Sequence, residues 1–119
     1  MTVAGLVGHL RWTEHCWFEV LMLDRGKELN PQFGGVEGAD FAVDGVPPAE
    51  LLEQYERQCA TSNEVVAATP LDASGRNTEY RADTLTLRWI LAHMVEETAR
   101  HVGHLDLLRE QLDGVTGYY

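Results

Sequence analysis

From Leu87 to Leu112, apolar residues recur by threes and fours at Leu87, Ile90, Met94, Leu108 and Leu112, and the same unbroken spacing carries Glu97, His101 and His104. That period puts them all on one stripe of a helix, so the polar three point where a bundle interior would be. A buried carboxylate must be paired, hydrogen-bonded or bound to a metal. Glu97 and His101 are four residues apart and stack on one helical face, where they can converge on a single divalent ion. A Glu-x-x-x-His pair by itself arises often by chance; its inward placement is what gives it weight. The competing reading is structural: a buried Glu97–His101 ion pair, or a bond from Glu97 to Arg100 or Arg88.

The rest of the chain supplies two more helices. The first is expected from about Val3 to Leu23, with a stripe of Leu6, Leu10, Thr13, Trp17 and Val20 that takes in His9 and Cys16. Between Asp24 and Val46 lie Asn30-Pro31, Gly34-Gly35, Gly38 and Gly45, a density of breakers that predicts a long loop, with a short extended piece at Asp40 to Val43. Loops of that length in a small domain are often functional, and this one is expected to roof a pocket. Pro47 and Pro48 suit the first turn of a second helix carried by Leu51, Leu52, Tyr55, Cys59 and Val66 to about Ala68, where Thr69-Pro70 stops it. Leu71 to Asp83 reads as a connector with a hairpin-like segment. The third helix starts at Thr84 or Thr86 as N-cap and ends at Gly114.

A length of 119 residues predicts one domain over 1–119 with a single core. With 45% hydrophobic and 24% charged residues, neither a disordered nor a fibrous class is supported. The net charge of -10 argues against nucleic acid, whose affinity for proteins comes from cations displacing counterions. No apolar run reaches the roughly 20 residues needed to cross a bilayer, and the N-terminus lacks a signal-peptide pattern, so no membrane partner and a cytoplasmic location are expected. Cys16 and Cys59 then read as small core residues rather than a disulfide.

The third ligand of a metal site must come from another element. His9 is the histidine outside the last helix that lies on an apolar stripe, since His15 falls off it; its competing reading is a satisfied core histidine. Two imidazoles and a carboxylate leave an open position on zinc, as catalytic sites do. His104 is a catalytic candidate as a proton shuttle, with a ligand, an outer base or a pocket wall as its other readings. His93 lies just off the stripe and reads as ordinary. Trp12, Trp17 and Trp89 read as bundle packing, and Asp106, Arg109 and Glu110 as a solvated face. Cys16 lacks the basic surroundings of a nucleophile, and there is no Gly-x-Ser-x-Gly elbow.

The segment from Leu87-Arg88-Trp89-Ile90 through Glu96-Glu97-Thr98-Ala99-Arg100-His101-Val102-Gly103-His104 to Arg109-Glu110 resembles the last helix of the DinB-like superfamily, in particular its small actinobacterial members. Gly5-Leu6-Val7-Gly8-His9-Leu10 through Trp17-Phe18 is similar to that family's metal-bearing second helix, and the Asp40-Phe41 region and the Cys59 helix also fit. The resemblance implies an all-α, up-down four-helix bundle with a divalent metal. In the branch related to mycothiol-dependent maleylpyruvate isomerase the ligands are His, Glu and His, which match His9, Glu97 and His101. It also implies a small-molecule thiol partner, mycothiol or a similar thiol, in transferase or isomerase chemistry. Family members usually carry a helix before the histidine-bearing one, and three main helices are visible here, so a homodimer is expected to cover the exposed stripe. The other class of function is a metal-free dimeric ligand-binding or interaction module with a buried polar network.

Overall fold

Thr2 opens the first helix, its hydroxyl accepting a hydrogen bond from the Gly5 amide at 3.0 Å. In the computed structural model, which describes residues 1–117, this helix, α1, runs Val3–His15 and continues through a π-helical segment, Cys16–Leu21, into Met22 and Leu23. α2 spans Pro48–Ala68 with proline in its first turn, and α3 spans Leu87–Asp113. The Thr86 side chain caps α3 by accepting from the Trp89 amide, and Gly114 closes it in the left-handed conformation at φ 72°. The architecture is an all-α bundle of three helices, and no strand is present among the described residues. No helix there is long and apolar enough to cross a membrane.

The core gathers Phe18, Met22, Val65, Leu87, Ile90 and Met94, with Trp17, Leu23, Val66 and Leu91 packed around it. It therefore sits where the π-helical end of α1 meets the last turns of α2 and the first turns of α3. The 70–86 connector is fastened there: the Arg76 and Asn77 amides donate to the Met22 and Leu21 carbonyls at 3.0 and 3.2 Å. Its expected hairpin is reduced to an isolated antiparallel bridge, Ser74 with Thr86, and a 3-10 turn at Ala82–Thr84.

Several expectations need correction. The segment at Asp40–Val43 is not an extended piece: Ala39–Phe41 form a 3-10 turn entered through Gly38 at φ 73°. The stripe of α3 is buried as far as His101, but Leu108 is half-buried and Leu112 is 77% exposed, because no described element packs over the last turns of the helix. His15 lies off the apolar stripe and is nonetheless buried, because the loop folds back over it: Asn30 Nδ2 donates to His15 Nδ1 at 3.2 Å and to the Trp12 carbonyl at 2.9 Å. Trp17 packs on the core as expected, whereas Trp89 is 46% exposed.

Candidate metal centre

Two small residues on α1 determine what can lie beside His9. A Cβ on Gly8 would stand 2.6 Å from Val43 Cγ1 and 3.2 Å from the Asp40 carbonyl, and one on Gly5 would stand 3.1 Å from the Phe41 carbonyl. Their absence makes a flat strip on which the Ala39–Phe41 turn rests, bringing the Phe41 ring onto His9 at 4.3 Å and 10° from parallel. The same turn buries Asp40, whose Oδ2 lies 2.5 Å from His9 Nδ1 and accepts from Gln32 Nε2 at 3.0 Å. A carboxylate at that place accepts a hydrogen bond from Nδ1–H of the neutral His9 ring, the tautomer in which Nε2 carries a lone pair.

That lone pair faces α3. His9 Nε2 is 3.1 Å from His101 Nε2 and 3.6 Å from Glu97 Oε1, and His101 Nε2 is 3.1 Å from the same Glu97 oxygen. One ligand atom from each of the three residues falls within 4.8 Å of the others. Bonds of about 2.05 Å to a tetrahedral zinc would put ligand atoms about 3.3 Å apart. The observed triangle already has nearly that size, and its atoms are nitrogen and oxygen donors of the kind zinc takes. The residues present fit a divalent ion.

The surrounding charges favour an ionised Glu97. Burial works against the charged form, but the hydrogen bond and charge of His101, the Arg100 guanidinium and the hydrogen bond to His9 outweigh it and hold the carboxyl below its usual range. Arg100 Nη1 donates to Glu97 Oε2 at 3.1 Å, on the oxygen turned away from the two imidazoles. The Arg88 alternative is not realised; that side chain bonds Asp72 instead.

The structure thus brings His9, Glu97 and His101 together on facing sides of α1 and α3. His104 lies beside them and not among them: its Nδ1 is 3.3 Å from His101 Nδ1. His93 is placed one turn earlier, against Trp17 and Trp89. Cys16 is pushed up to about 12 by burial, with the Asp40 charge adding to it, which removes it as a nucleophile at neutral pH. Sequence reasoning missed Asp40 and Gln32. The one signal available was their place in a long glycine-punctuated loop, which says that something is roofed but not which side chain reaches inward.

A model of the family described as MST, mycothiol-S-transferase, matches residues 1–114. No curated protein and no solved structure matches the chain.

Proposed function

The chain belongs to the mycothiol S-transferase family, and from that premise and the site geometry we propose that it is a divalent-metal enzyme using mycothiol, or a closely similar thiol, in a transfer or isomerisation reaction. His9, Glu97 and His101 are the ligands in this reading, with zinc the ion their chemistry suits best. The observation that carries it is the triangle itself: one ligand atom from each of His9, Glu97 and His101 faces the other two at 3.1, 3.1 and 3.6 Å, with His9 Nδ1 turned to Asp40 on the far side of the ring. Such an arrangement repels unless a cation or shared protons lie between the atoms.

A bound divalent ion supplies the positive charge that lowers a thiol pKa to neutral pH. The protein's own groups do the remainder. Asp40 fixes the orientation and tautomer of His9, and Phe41 holds the ring flat. Glu97 contributes the negative charge of the ligand set, and its Oε2 is steadied by Arg100. His104, half-buried beside His101, would take the thiol proton and return one to the product in this reading.

The reading includes one catalytic domain over residues 1–119 acting as a homodimer in the cytoplasm, where small thiols are kept reduced. Association is supported by a groove of about 550 Å³ between α2 and α3, lined by Phe18, Val66, Leu91, Met94 and Val102, and by Val95 standing 72% exposed on its rim. Light scattering at micromolar concentration is expected to give twice the chain mass.

The deciding experiment pairs elemental analysis with melting temperature. The purified protein is expected to carry about one divalent ion per chain and Glu97→Gln to lose it, with thiol-dependent activity lost as well and helix content retained. A wild-type protein that never holds metal, with a melting temperature unchanged or raised by Glu97→Gln, would establish the other reading, a metal-free binding module with a buried polar network.

A further inference from the structure

One and two turns before Glu97, α3 carries a group of rings that neither the core nor the metal triangle uses. Trp89 and His93 lie 5.2 Å apart and 6° from parallel. Trp17, reaching across from the π-helical segment, is 4.4 Å from His93 and 5.6 Å from Trp89. Trp17 is anchored against the core, but Trp89 and His93 are not part of it, and Trp89 keeps nearly half its surface in water. Beside these rings is a cleft of about 160 Å³ lined by Trp89, Ala92, His93 and Glu96. An open indole face, an imidazole and a carboxylate around a shallow cleft are the parts that hold a polyhydroxylated ring. The apolar C–H face of the ring lies on the indole, and its hydroxyls bond the imidazole and the carboxylate.

The placement agrees with the proposed reaction. At 1.5 Å rise and 100° per residue, His93 and Trp89 stand about 6 and 12 Å along α3 from Glu97 and about 40° and 80° around it. The rings therefore flank the same face of the helix as the triangle. In a thiol whose cysteine is amide-linked to an amino sugar, the sulfur and the first sugar ring are separated by on the order of 6 Å of extended chain.

We propose that Trp89 and His93, backed by Trp17 and edged by Glu96, form the subsite that holds the sugar portion of the thiol co-substrate and so select a glycosylated thiol over a peptide or a free cysteine. This rests on the thiol reading above but makes a separate demand on the molecule, because the sugar portion has its own affinity.

The test is a titration of the metal-loaded protein, followed by intrinsic tryptophan fluorescence, with the sulfur-free glucosaminyl-inositol and, separately, with choline chloride. Saturable quenching by the glucosaminyl-inositol is expected, weakened about tenfold in Trp89→Ala, with metal content and melting temperature unchanged. Trp89→Phe, which keeps a ring face, is expected to recover part of the loss. Glu97→Gln is expected to bind the sugar as wild type does even without its metal. If it does so in a protein that never holds metal, the metal reading fails and this one stands. No saturable response from the wild-type protein, or equal affinity in Trp89→Ala, overturns the subsite even where thiol-dependent activity is present. Binding of choline without binding of the sugar also overturns it, because the rings would then be a cation site.

Discussion

The two flanks of α1 are finished to different degrees. On the flank covered by the 24–46 loop, polar groups close on one another: Asn30 bonds His15, the Trp12 carbonyl and the Gln32 amide, Gln32 bonds Asp40, and Asp40 bonds His9. On the flank facing the groove between α2 and α3, Ser62 Oγ is buried without a hydrogen-bond partner among the described residues. The Glu14 carboxyl on the same groove is raised by burial. A flank whose buried donors and acceptors are matched holds its geometry without help; one that leaves a hydroxyl unmatched is complete only when something covers it. The triangle of His9, Glu97 and His101 is built on the first kind of flank, and the surface proposed for association is the second.

The hardest way to break the finished flank is at its central carboxylate. Asp40→Asn keeps the shape and one acceptor but removes the charge that polarises His9, and is expected to weaken zinc binding by about ten- to a hundredfold. Competition with a chelating dye measures it. Wild-type affinity in the variant would mean that the loop merely covers His9.

Gly8→Ala attacks the same flank through packing. The new methyl meets Val43 and the Asp40 carbonyl, so the 39–41 turn must lift off α1. A loss of about 1–2 kcal/mol is expected in urea unfolding, the lower part of the range for overpacking because Val43 sits on a loop and can yield. Metal affinity is expected to fall with it, since the turn carries Asp40. A stable variant with intact metal affinity would show that the close approach of turn and helix does not position the site.

The legibility of the chain divides along similar lines. Helix ends coded by local chemistry were readable: Thr86 and Gly114 bound α3 and Pro48 opens α2, as their capping preferences dictate. The inward placement of His9, Glu97 and His101 is readable because period sets it on two helices. Asp40 was not, because its bond to His9 spans 31 residues and depends on how a loop lands on Gly5 and Gly8, which no local pattern encodes. His15 shows the same limit in reverse: it lies off the apolar stripe, and the returning loop buries it through Asn30 and Gly26. Leu112 was misplaced because a stripe records what a helix can bury and not where its neighbours end.

A smaller effect sharpens the comparison through pH. His15 is lowered from its ordinary 6.5, first by burial, against which Glu19 pulls upward. Asn30 donates to its Nδ1, so protonation there would set two donors against each other. The unfolded chain binds the proton more readily. Stability is therefore full above about pH 6.5 and declines as pH falls through that value toward the depressed native pKa, by at most about 1.4 kcal/mol per pH unit. Comparing unfolding at pH 7 and pH 5.5 in wild type and His15→Gln isolates this group, and the variant is expected to show the shallower decline. Equal slopes would mean that His15 does not hold the loop through a neutral ring.

The smallest effect belongs to the unfinished flank. Removing a buried hydroxyl that already lacks a partner costs no hydrogen bond and relieves a desolvated polar group, so Ser62→Ala is expected to leave stability within about 0.5 kcal/mol of wild type or to raise it slightly. The measurement is best made across a dilution series, because the two flanks then separate. If the groove is covered by a second copy that bonds Ser62, the substitution weakens association at high dilution while the melting temperature of the separated chain holds. A loss above about 1 kcal/mol in the separated chain would show that the hydroxyl is satisfied within a single copy, and the contrast between the two sides of α1 would fall with it.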